Sequence, residues 1–320
     1  MPPHRVLRVE STVADRFEAG RARLASLAYR LLGSAADAED IVQEAYLRWH
    51  AADRERIEVP EAWLAKVVTN LCLDRLRSAP VRRERAAGTW LPEPLLDGDP
   101  MLGPADTFEQ RESVSLAILT LMERLSPVER AAYVLHEVFS YPHSEIAGIL
   151  DISESASQQH VHRSRRRVAA ARRGGGEADP ASARKVLDEF LAAASSGRTE
   201  RLVALLTDDA IAVSDGAGLV KKLLRFETPA RIASMMRTAF KPTPAKRRLA
   251  GGSPTIHVGR VNGWPAVLAV LEGRVVGAVA FQVSDGKVAA LHGFAAAERL
   301  ARLTAMWPRH EPDAPAIDQW

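Results

Sequence analysis

Polar and cationic side chains gather in the segment from residue 153 to residue 173, and their types suit contact with nucleic acid. Six arginines stand between Glu154 and Arg173 against a single acid. Guanidinium groups bind phosphates, and arginine and glutamine can also hydrogen-bond to base edges in a major groove. A solvated basic end on an amphipathic helix is the alternative interpretation of this segment alone. The predicted DNA-contacting residues are Ser153, Ser155, Gln158, Gln159, His162, Arg163, Arg165 and Arg166.

These side chains need an element that holds them on one exposed surface, and the preceding sequence predicts a helix-turn-helix. Ser126 and Pro127 are typical of an N-cap and a first helical position. Apolar residues then recur at helical spacing as far as Val138. A second short helix is predicted over His143–Leu150, and after a tight turn Ser153 is the predicted N-cap of the third helix. A short helix, a tight turn and a polar helix ending in cations form the element that enters a major groove.

Composition limits the classes of protein to which the chain can belong. With 320 residues, 47% of them hydrophobic, two or three domains with ordinary cores are expected. Cys72 is the only cysteine, which excludes disulfides within the chain and thiolate metal sites. We predict no cofactor and no metal. Since no apolar run approaches the length of a membrane span and residues 1–10 lack a signal-peptide pattern, we expect a soluble, cytoplasmic chain without a membrane partner.

Clusters of proline and glycine divide the chain into segments. Helical patterning dominates the first half, and an α+β pattern follows Gly174-Gly175-Gly176. Its strand-like segments are AIAVSD and three later strand candidates that end near Phe294. Gly-Trp-Pro and Ser-Asp-Gly-Lys mark the predicted turns between those strands. The predicted segments are a flexible tail (1–14), a helical domain (15–85), a linker (86–110), the helix-turn-helix domain (111–172), a glycine-rich joint (173–179), an α+β domain (180–305) and a C-terminal tail (306–320).

Two further helices carry polar faces whose meaning is open from the residues alone. The segment Asp37–His50 begins with acids, which stabilise a helix N-terminus, but its polar face would also suit a protein partner. Its predicted apolar positions are Ile41, Ala45, Leu47 and Trp49. The segment Pro60–Arg77 ends in a basic run that continues through Arg82, Arg83 and Arg85, which is compatible with DNA contact or with a solvated face.

Taken together, three blocks of the sequence resemble the group IV, or extracytoplasmic-function (ECF), sigma factors of bacterial RNA polymerase. The blocks are DAEDIVQEAYLRWH, PEAWLAKVVTNLCLDRLRS and the helix-turn-helix that starts at LSPVER. The WLPEP linker and the α+β extension resemble the subgroup with a fused C-terminal SnoaL-like (NTF2-like) domain. The resemblance implies a multidomain fold, with two all-α sigma domains followed by an α+β cone domain. It implies a protein that is not an enzyme, that directs core polymerase to −10/−35 promoters and that is modulated in cis by its C-terminal domain.

The resemblance also assigns roles by position. The implied partners are promoter DNA and core RNA polymerase, through its β′ clamp helices and β flap. A small-molecule ligand of the C-terminal pocket is a further expected partner, and the fused domain makes a separate anti-sigma factor less necessary. The loop from Ala51 to Val59 and the helix behind it would recognise and melt the −10 element. The implied residues are Asp40, Gln43, Glu44 and Arg48 for core polymerase; Trp63, Asn70, Asp74, Arg75 and Arg77 for the −10 element; and Trp90, Leu91, Pro92, Glu93, Pro94, Asp215, Gly216 and Gly218 for a regulatory contact.

Two segments depart from the patterns of that subgroup. The loop Asp215-Gly216-Ala217-Gly218-Leu219 stands where the family shows DGGGK, and Ala296–Leu300 stands where it tends to show NPDKL. These departures bear on the regulatory contact and leave promoter binding unaffected.

Two other functions remain open from the sequence. One is a one-component regulator, with a DNA-binding helix-turn-helix and a SnoaL-like pocket that senses a small molecule. The other is an enzyme with accessory DNA-binding segments, for which Asp215, His257 and His292 are the candidate acid–base residues. The first sigma-like block distinguishes a sigma factor from a one-component regulator, because a repressor has no need of a polymerase-docking helix.

Overall fold

The computed structural model describes residues 4–78, 90–103, 110, 113–171, 179–219, 222–310 and 313–320. The basic run Arg82–Arg85, Arg172 and Arg173, and the glycine-rich joint lie outside these residues. The chain forms two compact units: unit 1 comprises residues 1–83 and 99–168, and unit 2 comprises residues 84–98 and 169–320.

Among its described residues, unit 1 contains helices and no strand. Its helices are α1 (His4–Leu32), α2 (Ala35–Ala51), α3 (Pro60–Arg77), α4 (Leu116–Met122), α5 (Pro127–Glu137), α6 (His143–Leu150) and α7 (Glu154–Ala171), with short 3₁₀ turns at Arg54–Arg56 and Pro100–Leu102.

Most helix boundaries of unit 1 follow the capping signals in the sequence. Ser126 and Glu129 form a reciprocal capping box at the start of α5. The α3 helix runs from Pro60 to Arg77 as predicted. The start of α1 differs from the prediction, because residues 4–14 were expected to form a loose tail and are helical. Extending an existing helix costs far less than nucleating one, so the pattern that begins at Phe17 also supports the preceding turns.

The two halves of unit 1 pack against each other around a buried arginine. Arg130, on α5, is 2% exposed. Its Nη1 donates to the carbonyl oxygen of Leu31 at 2.8 Å and to Glu123 Oε1 at 2.6 Å, and its Nη2 donates to the carbonyl oxygen of Met122 at 2.6 Å. Because Leu31 lies at the end of α1, this one guanidinium joins the second half of the unit to the first.

A second buried arginine fixes the segment between the halves. Arg30 Nε donates to Ser113 Oγ at 2.9 Å, and its Nη2 donates to the carbonyl oxygen of Leu102 at 2.7 Å. Burial lowers the pKa of Arg30 to about 9, which still leaves the side chain charged at neutral pH. Since a buried charge is tolerated only where hydrogen bonds replace its hydration, these bonds hold Leu102 and Ser113 against α1.

Unit 2 combines one sheet with helices. Its helices are α8 (Pro180–Ser196), α9 (Thr199–Ala204), α10 (Pro229–Phe240), α11 (Pro244–Ala250) and α12 (Ala297–Met306). Its strands are β1 (Leu206–Ser214), β2 (Leu224–Phe226), β3 (Thr255–Val261), β4 (Trp264–Leu271), β5 (Arg274–Ser284) and β6 (Lys287–Phe294). The strand order is β2-β1-β6-β5-β4-β3; β1 and β6 are parallel and every other neighbouring pair is antiparallel. The α+β fold class is therefore confirmed for this unit.

Four strands, where three were predicted, form the meander β3 to β6. Its turns are Asn262-Gly263, Glu272-Gly273 and Asp285-Gly286, and both residues of each turn have positive φ angles. This geometry matches the twist of adjoining strands and favours Asn-Gly or Asp-Gly. The middle turn is Glu272-Gly273, which is a weak turn signal in sequence. No turn was therefore predicted between β4 and β5. Trp264 and Pro265, expected in a turn, lie in β4.

The linker segment 90–98 packs on the sheet of unit 2. Leu96 forms an antiparallel bridge with Val261. The N–H of Leu95 donates to Asn262 Oδ1 at 2.8 Å, and the N–H of Asn262 returns a bond to the carbonyl oxygen of Leu95 at 2.9 Å. Asp97 Oδ2 accepts from Arg260 Nε at 3.0 Å. The buried linker residues are Leu91, Pro92, Pro94, Leu95 and Leu96.

The loop at Asp215 is held to the segment that precedes α12. The Asp215 carboxylate accepts from the N–H groups of Ala217 at 3.0 Å, Ala295 at 2.9 Å and Ala296 at 3.0 Å. Gly216, Ala217 and Gly218 all have left-handed backbone conformations, with φ of 61°, 58° and 70°. A non-glycine residue pays roughly 1–2 kcal/mol for this conformation, so Ala217 is strained where the family pattern has glycine.

Candidate nucleic-acid interface

Helix α7 presents one buried stripe and one exposed polar surface. Ser157, Val161, Ser164 and Val168 are buried, and their spacing of three or four residues places them on one face. Ala156, next to this stripe, is half-buried. The small polar residues meet polar partners: His143 Nδ1 lies 3.0 Å from Ser157 Oγ, and Ser164 Oγ donates to the carbonyl oxygen of Glu129 at 3.2 Å.

The exposed surface of α7 contains the residues predicted to contact DNA. The predicted N-cap is confirmed, because Ser153 Oγ accepts from the N–H of Ala156 at 3.1 Å. The exposed members of the predicted set are Ser153, Ser155, Gln158, Gln159, His162, Arg163, Arg165 and Arg166.

Two of the arginines on α7 pair with acids on α5. Arg165 Nη2 lies 2.7 Å from Glu137 Oε1, and Arg167 Nη1 lies 2.9 Å from Glu129 Oε2. Burial acts to raise the pKa of Glu129, but the hydrogen bonds from Ser126 and the charge of Arg167 outweigh it, and the pKa is lowered. Glu129 is therefore ionised at neutral pH. Arg165, predicted to contact DNA, thus also pairs with Glu137 of α5 in the free protein.

The residues assigned to the −10 element lie along α3 and are all at least partly exposed. Asp74, Arg75 and Arg77 are exposed, and Trp63 and Asn70 are half-buried. Arg75 Nη2 is hydrogen-bonded to Asp37 Oδ1 of α2, and Arg77 lies 4.0 Å from Asp74. Arg75 therefore also joins α3 to α2. The rings of Trp63 and Trp49 lie 5.8 Å apart, so Trp63 is supported by the core while one side stays open.

Helix α2 carries a continuous exposed stripe. Asp40, Gln43, Glu44 and Arg48, the residues assigned to core polymerase, are all exposed and follow a spacing of three and four residues. Leu47 completes the stripe and is 54% exposed, although its pattern predicted a core position. Leu47 is thus an exposed apolar side chain among the polar residues of this stripe. Sequence reasoning missed Leu47 because its spacing from the buried residues also fits a broad apolar face.

The helices assigned to the two promoter elements lie close together in unit 1. Helix α3 packs on α5 and α6. Lys66 Nζ, on α3, donates to the carbonyl oxygen of Gly148, on α6, at 2.6 Å. Arg23 Nη2, on α1, donates to the carbonyl oxygen of Phe139 at 3.2 Å, and its guanidinium lies 4.9 Å from the centre of the Phe139 ring. The first half of the unit thus contacts the helix-turn-helix directly.

The three candidate acid–base residues of unit 2 do not converge. Asp215 binds backbone N–H groups, and His257 Nε2 lies 3.0 Å from Thr255 Oγ1. His292 is buried beside Trp264, with ring centres 5.5 Å apart, and burial lowers its pKa to about 4. It is therefore neutral at physiological pH. Leu291 and Gly293 line the cavity of this unit, so His292 between them faces the opposite side of the sheet.

The described part of the chain contains neither a metal-binding cluster nor a membrane-spanning helix. No group of three or more His, Cys, Asp or Glu side chains there is placed to hold a metal ion. Within the same ranges, every helix is too short or too polar to cross a bilayer.

Comparison with known proteins identifies the family. Residues 17–80 match Sigma-70 region 2, and residues 115–168 match Sigma-70, region 4. A Mycobacterium tuberculosis protein named "Probable ECF RNA polymerase sigma factor SigI" is 34% identical over 286 residues, which cover 88% of this chain and 92% of that protein. The chain belongs to the ECF RNA polymerase sigma factors. It is a promoter-specificity subunit. The presence of Sigma-70 region 2 does not favour the alternative interpretation as a one-component regulator.

A second relative extends the likeness to the fold. The ECF RNA polymerase sigma factor SigJ of Mycobacterium tuberculosis is 43% identical over 212 residues, which cover 66% of this chain and 67% of SigJ. The crystal structure of SigJ matches with a TM-score of 0.66 and 32% identity, covering 90% of this chain and 98% of that one. Unit 1 thus carries sigma regions 2 and 4, and unit 2 is a C-terminal α+β domain.

The ion pairs of α7 predict different consequences for two neighbouring arginines. Arg163→Ala removes an exposed cation, so the logarithm of affinity for −35 DNA should depend less steeply on the logarithm of salt concentration, by about 0.9 for one lost phosphate contact. Arg165→Ala should leave that slope unchanged and lower the melting temperature instead. Fluorescence anisotropy with a labelled duplex at several salt concentrations measures the slopes. Equal slopes for Arg163→Ala and the unaltered protein would contradict the assignment.

Proposed function

We propose that the exposed stripe of α2 docks this sigma factor on the β′ clamp helices of core polymerase. The stripe consists of Asp40, Gln43, Glu44, Leu47 and Arg48. Four polar side chains around one exposed leucine match the usual anatomy of a protein interface, an apolar contact inside a polar rim. The second contact with core polymerase, at the β flap, is assigned to region 4 as a whole.

The two promoter elements are read by separate helices. The loop 51–59 and α3 take the −10 element, with Trp63 and Asn70 as its base-contacting residues and Asp74, Arg75 and Arg77 along the backbone. Capture of unstacked bases on aromatic rings contributes roughly 1–3 kcal/mol per base, which suits Trp63 with its one open side. Helix α7 takes the −35 element in a major groove, where Gln158, Gln159 and His162 set the base preference.

Reading both elements at once requires the halves of unit 1 to separate. The −10 and −35 elements lie about 25 base pairs apart, or about 85 Å at 3.4 Å per base pair. Helix α3 and α6 are in contact through Lys66 and Gly148, so they cannot span that distance as they stand. The contact between the promoter-reading halves is the observation that carries the proposed mechanism: the closed arrangement is the form that awaits core polymerase.

The C-terminal domain modulates this sigma factor in cis by holding the linker between regions 2 and 4. Leu95 and Leu96 are at most 2% exposed on unit 2. A segment buried in this way is not available to polymerase, so the C-terminal domain and core enzyme compete for it. Arg299 donates to the carbonyl oxygen of Leu91, and Asp215 holds the chain just before Arg299 through Ala295 and Ala296. The loop Asp215–Leu219 and the segment Ala296–Leu300 both depart from the subgroup's sequence patterns. Both therefore take part in holding the linker.

The same domain serves regulation and is not an enzyme. Its candidate acid–base groups are bonded to the backbone, held by a neighbouring hydroxyl or buried on the far side of the sheet from the cavity. A protein with this role acts in the cytoplasm, and the fused domain takes the place of a separate anti-sigma factor.

Replacement of Leu47 tests the docking surface. Leu47→Ala should weaken binding to core polymerase about tenfold, because a leucine side chain buried at an interface contributes on the order of 1–2 kcal/mol. Stability should change little, since Leu47 is exposed in the free protein. The matched control is Val59→Ala, at an apolar position that is 56% exposed and lies outside the stripe. Equal core affinity for Leu47→Ala and the unaltered protein, measured by biolayer interferometry, would reject the proposed surface.

Release of the linker tests modulation in cis. Leu95→Asp places a charge in a fully buried site and should free the segment, which raises transcription from a cognate promoter by reconstituted holoenzyme. Pro100→Ala, at an exposed position nearby, is the control. Hydrogen exchange at the amides of Leu96 and Asp97 reports whether the segment is released. Unchanged transcription in a variant with a released linker would show that the contact has no regulatory effect.

A further inference from the structure

A large cavity opens between the sheet of unit 2 and helices α10, α11 and α12. Its volume is about 830 Å³. Cavities that bind drug-sized ligands occupy roughly 300–1,000 Å³ and are lined mainly by apolar side chains. The main apolar contributors are Ala212, Val267 and Leu291 from the sheet, Met235 and Phe240 from α10, and Leu300 from α12. The size is therefore that of a small-molecule site.

The wall of the cavity has few groups that could neutralise a charge. Among the described residues that line it, there is no carboxylate and no imidazole. Lys246 lies on the wall, but its Nζ donates to the carbonyl oxygens of Thr238, Ala239 and Lys241, which matches its three N–H groups with three acceptors. Lys246 thus closes the end of α10 and has no further donor for a ligand.

Arg274 is the other cation on the wall, and it is placed at the rim. It is the first residue of β5 and is exposed. An ion pair in that position is worth only about 0–1 kcal/mol, because water screens it. A ligand with a net charge would lose its hydration inside the cavity and gain little from Arg274.

Polar contacts inside the cavity are limited to two hydroxyls. Ser214 Oγ accepts from the N–H of Gly216 at 3.2 Å and can still donate its own proton. Thr304 Oγ1 accepts from the N–H of Val275 at 3.2 Å and lies 3.4 Å from the carbonyl oxygen of the same residue. A ligand would therefore meet one or two hydrogen-bonding groups on an otherwise apolar wall.

Trp320 closes the side of the cavity next to α11. Its Nε1 donates to the carbonyl oxygen of Phe240 at 3.0 Å, and Lys246 Nζ lies 5.5 Å from the centre of its ring. The preceding residues follow the edge strand β3, where the carbonyl oxygen of Ile317 accepts from the N–H of Ile256 at 2.8 Å. The indole therefore supplies a large flat surface to the wall.

We propose that this cavity binds one neutral, mainly apolar small molecule with one or two hydrogen-bonding groups. The size of the cavity, the engaged lysine, the lack of acids and the indole on one side all favour an uncharged ring-containing ligand. The cavity belongs to unit 2 and the promoter-reading helices belong to unit 1, so the proposal does not depend on the roles assigned to those helices.

A pair of fluorescent probes tests the proposed ligand class on the full chain. N-phenyl-1-naphthylamine is neutral, and 8-anilinonaphthalene-1-sulfonate has the same ring systems with one added negative charge. We expect the neutral probe to saturate a single site and the sulfonate to bind at least about tenfold more weakly, because its charge has no buried partner. Equal or tighter binding of the sulfonate, or no saturable binding of the neutral probe, would overturn the proposal.

Cavity-filling variants locate the probe. Ala269→Phe adds a ring to the sheet wall, and Ala239→Phe adds one at the exposed last turn of α10; both residues line the cavity. The matched control is Ala305→Phe, an exposed position of α12 outside the lining. Both filling variants should weaken the neutral probe at least about tenfold, and the control should bind normally. If circular dichroism shows that Ala269→Phe does not fold, the affinity of Ala239→Phe for the neutral probe alone decides whether the probe binds in the cavity. Retention of full affinity in a folded filling variant would place the probe elsewhere and refute the site.

Discussion

A guanidinium buried between two helices holds the sigma regions of this protein together. Arg130 of region 4 donates to the carbonyl oxygen at the end of α1 in region 2, and to Met122 and Glu123 in its own half. Removing one partner of such a buried charge costs about 3–5 kcal/mol, whereas hydrating the whole site on opening lets water take over the lost bonds. The contact therefore resists the loss of a single hydrogen-bond partner. It still permits the two halves of unit 1 to separate as whole bodies. The positions of α3 and α7 in the free protein both follow from it.

A second restraint acts on the chain that joins those halves. The linker is buried on the C-terminal domain through Leu95, Leu96 and Asn262, and in the proposed mechanism this segment is released when the regions separate. The loop around Asp215 connects this contact to the interior of the domain. Ser214 precedes Asp215 and Ala217 follows Gly216, and both Ser214 and Ala217 line the apolar cavity. A ligand in the cavity would therefore lie beside the loop whose Asp215 binds Ala295 and Ala296, close in sequence to the linker-binding Arg299.

Much of this architecture could be predicted from the sequence, and the exceptions have identifiable causes. Ser126 and Glu129 determine the start of the helix-turn-helix locally, so its position could be predicted without tertiary information. Leu47 could not be placed, because a helical pattern does not tell which apolar residue lies just outside the contact area. The ion pair between Arg165 and Glu137 could not be predicted, because it joins residues 28 positions apart on two different helices. The division between β4 and β5 depends on Glu272-Gly273, a turn whose left-handed glutamate is stabilised by the strands and not by its own preference.

The distance between the two sigma regions tests the account most directly. Cysteines introduced at the exposed positions Glu61 and Arg124 can be labelled selectively, because burial raises the pKa of the only native thiol, Cys72, and shields it. Energy transfer between the labels should report a short distance in the free protein. On addition of core polymerase and promoter DNA, we predict an increase of several tens of ångströms, as the spacing of the promoter elements requires. A short distance that persists in a transcriptionally active holoenzyme would contradict the account.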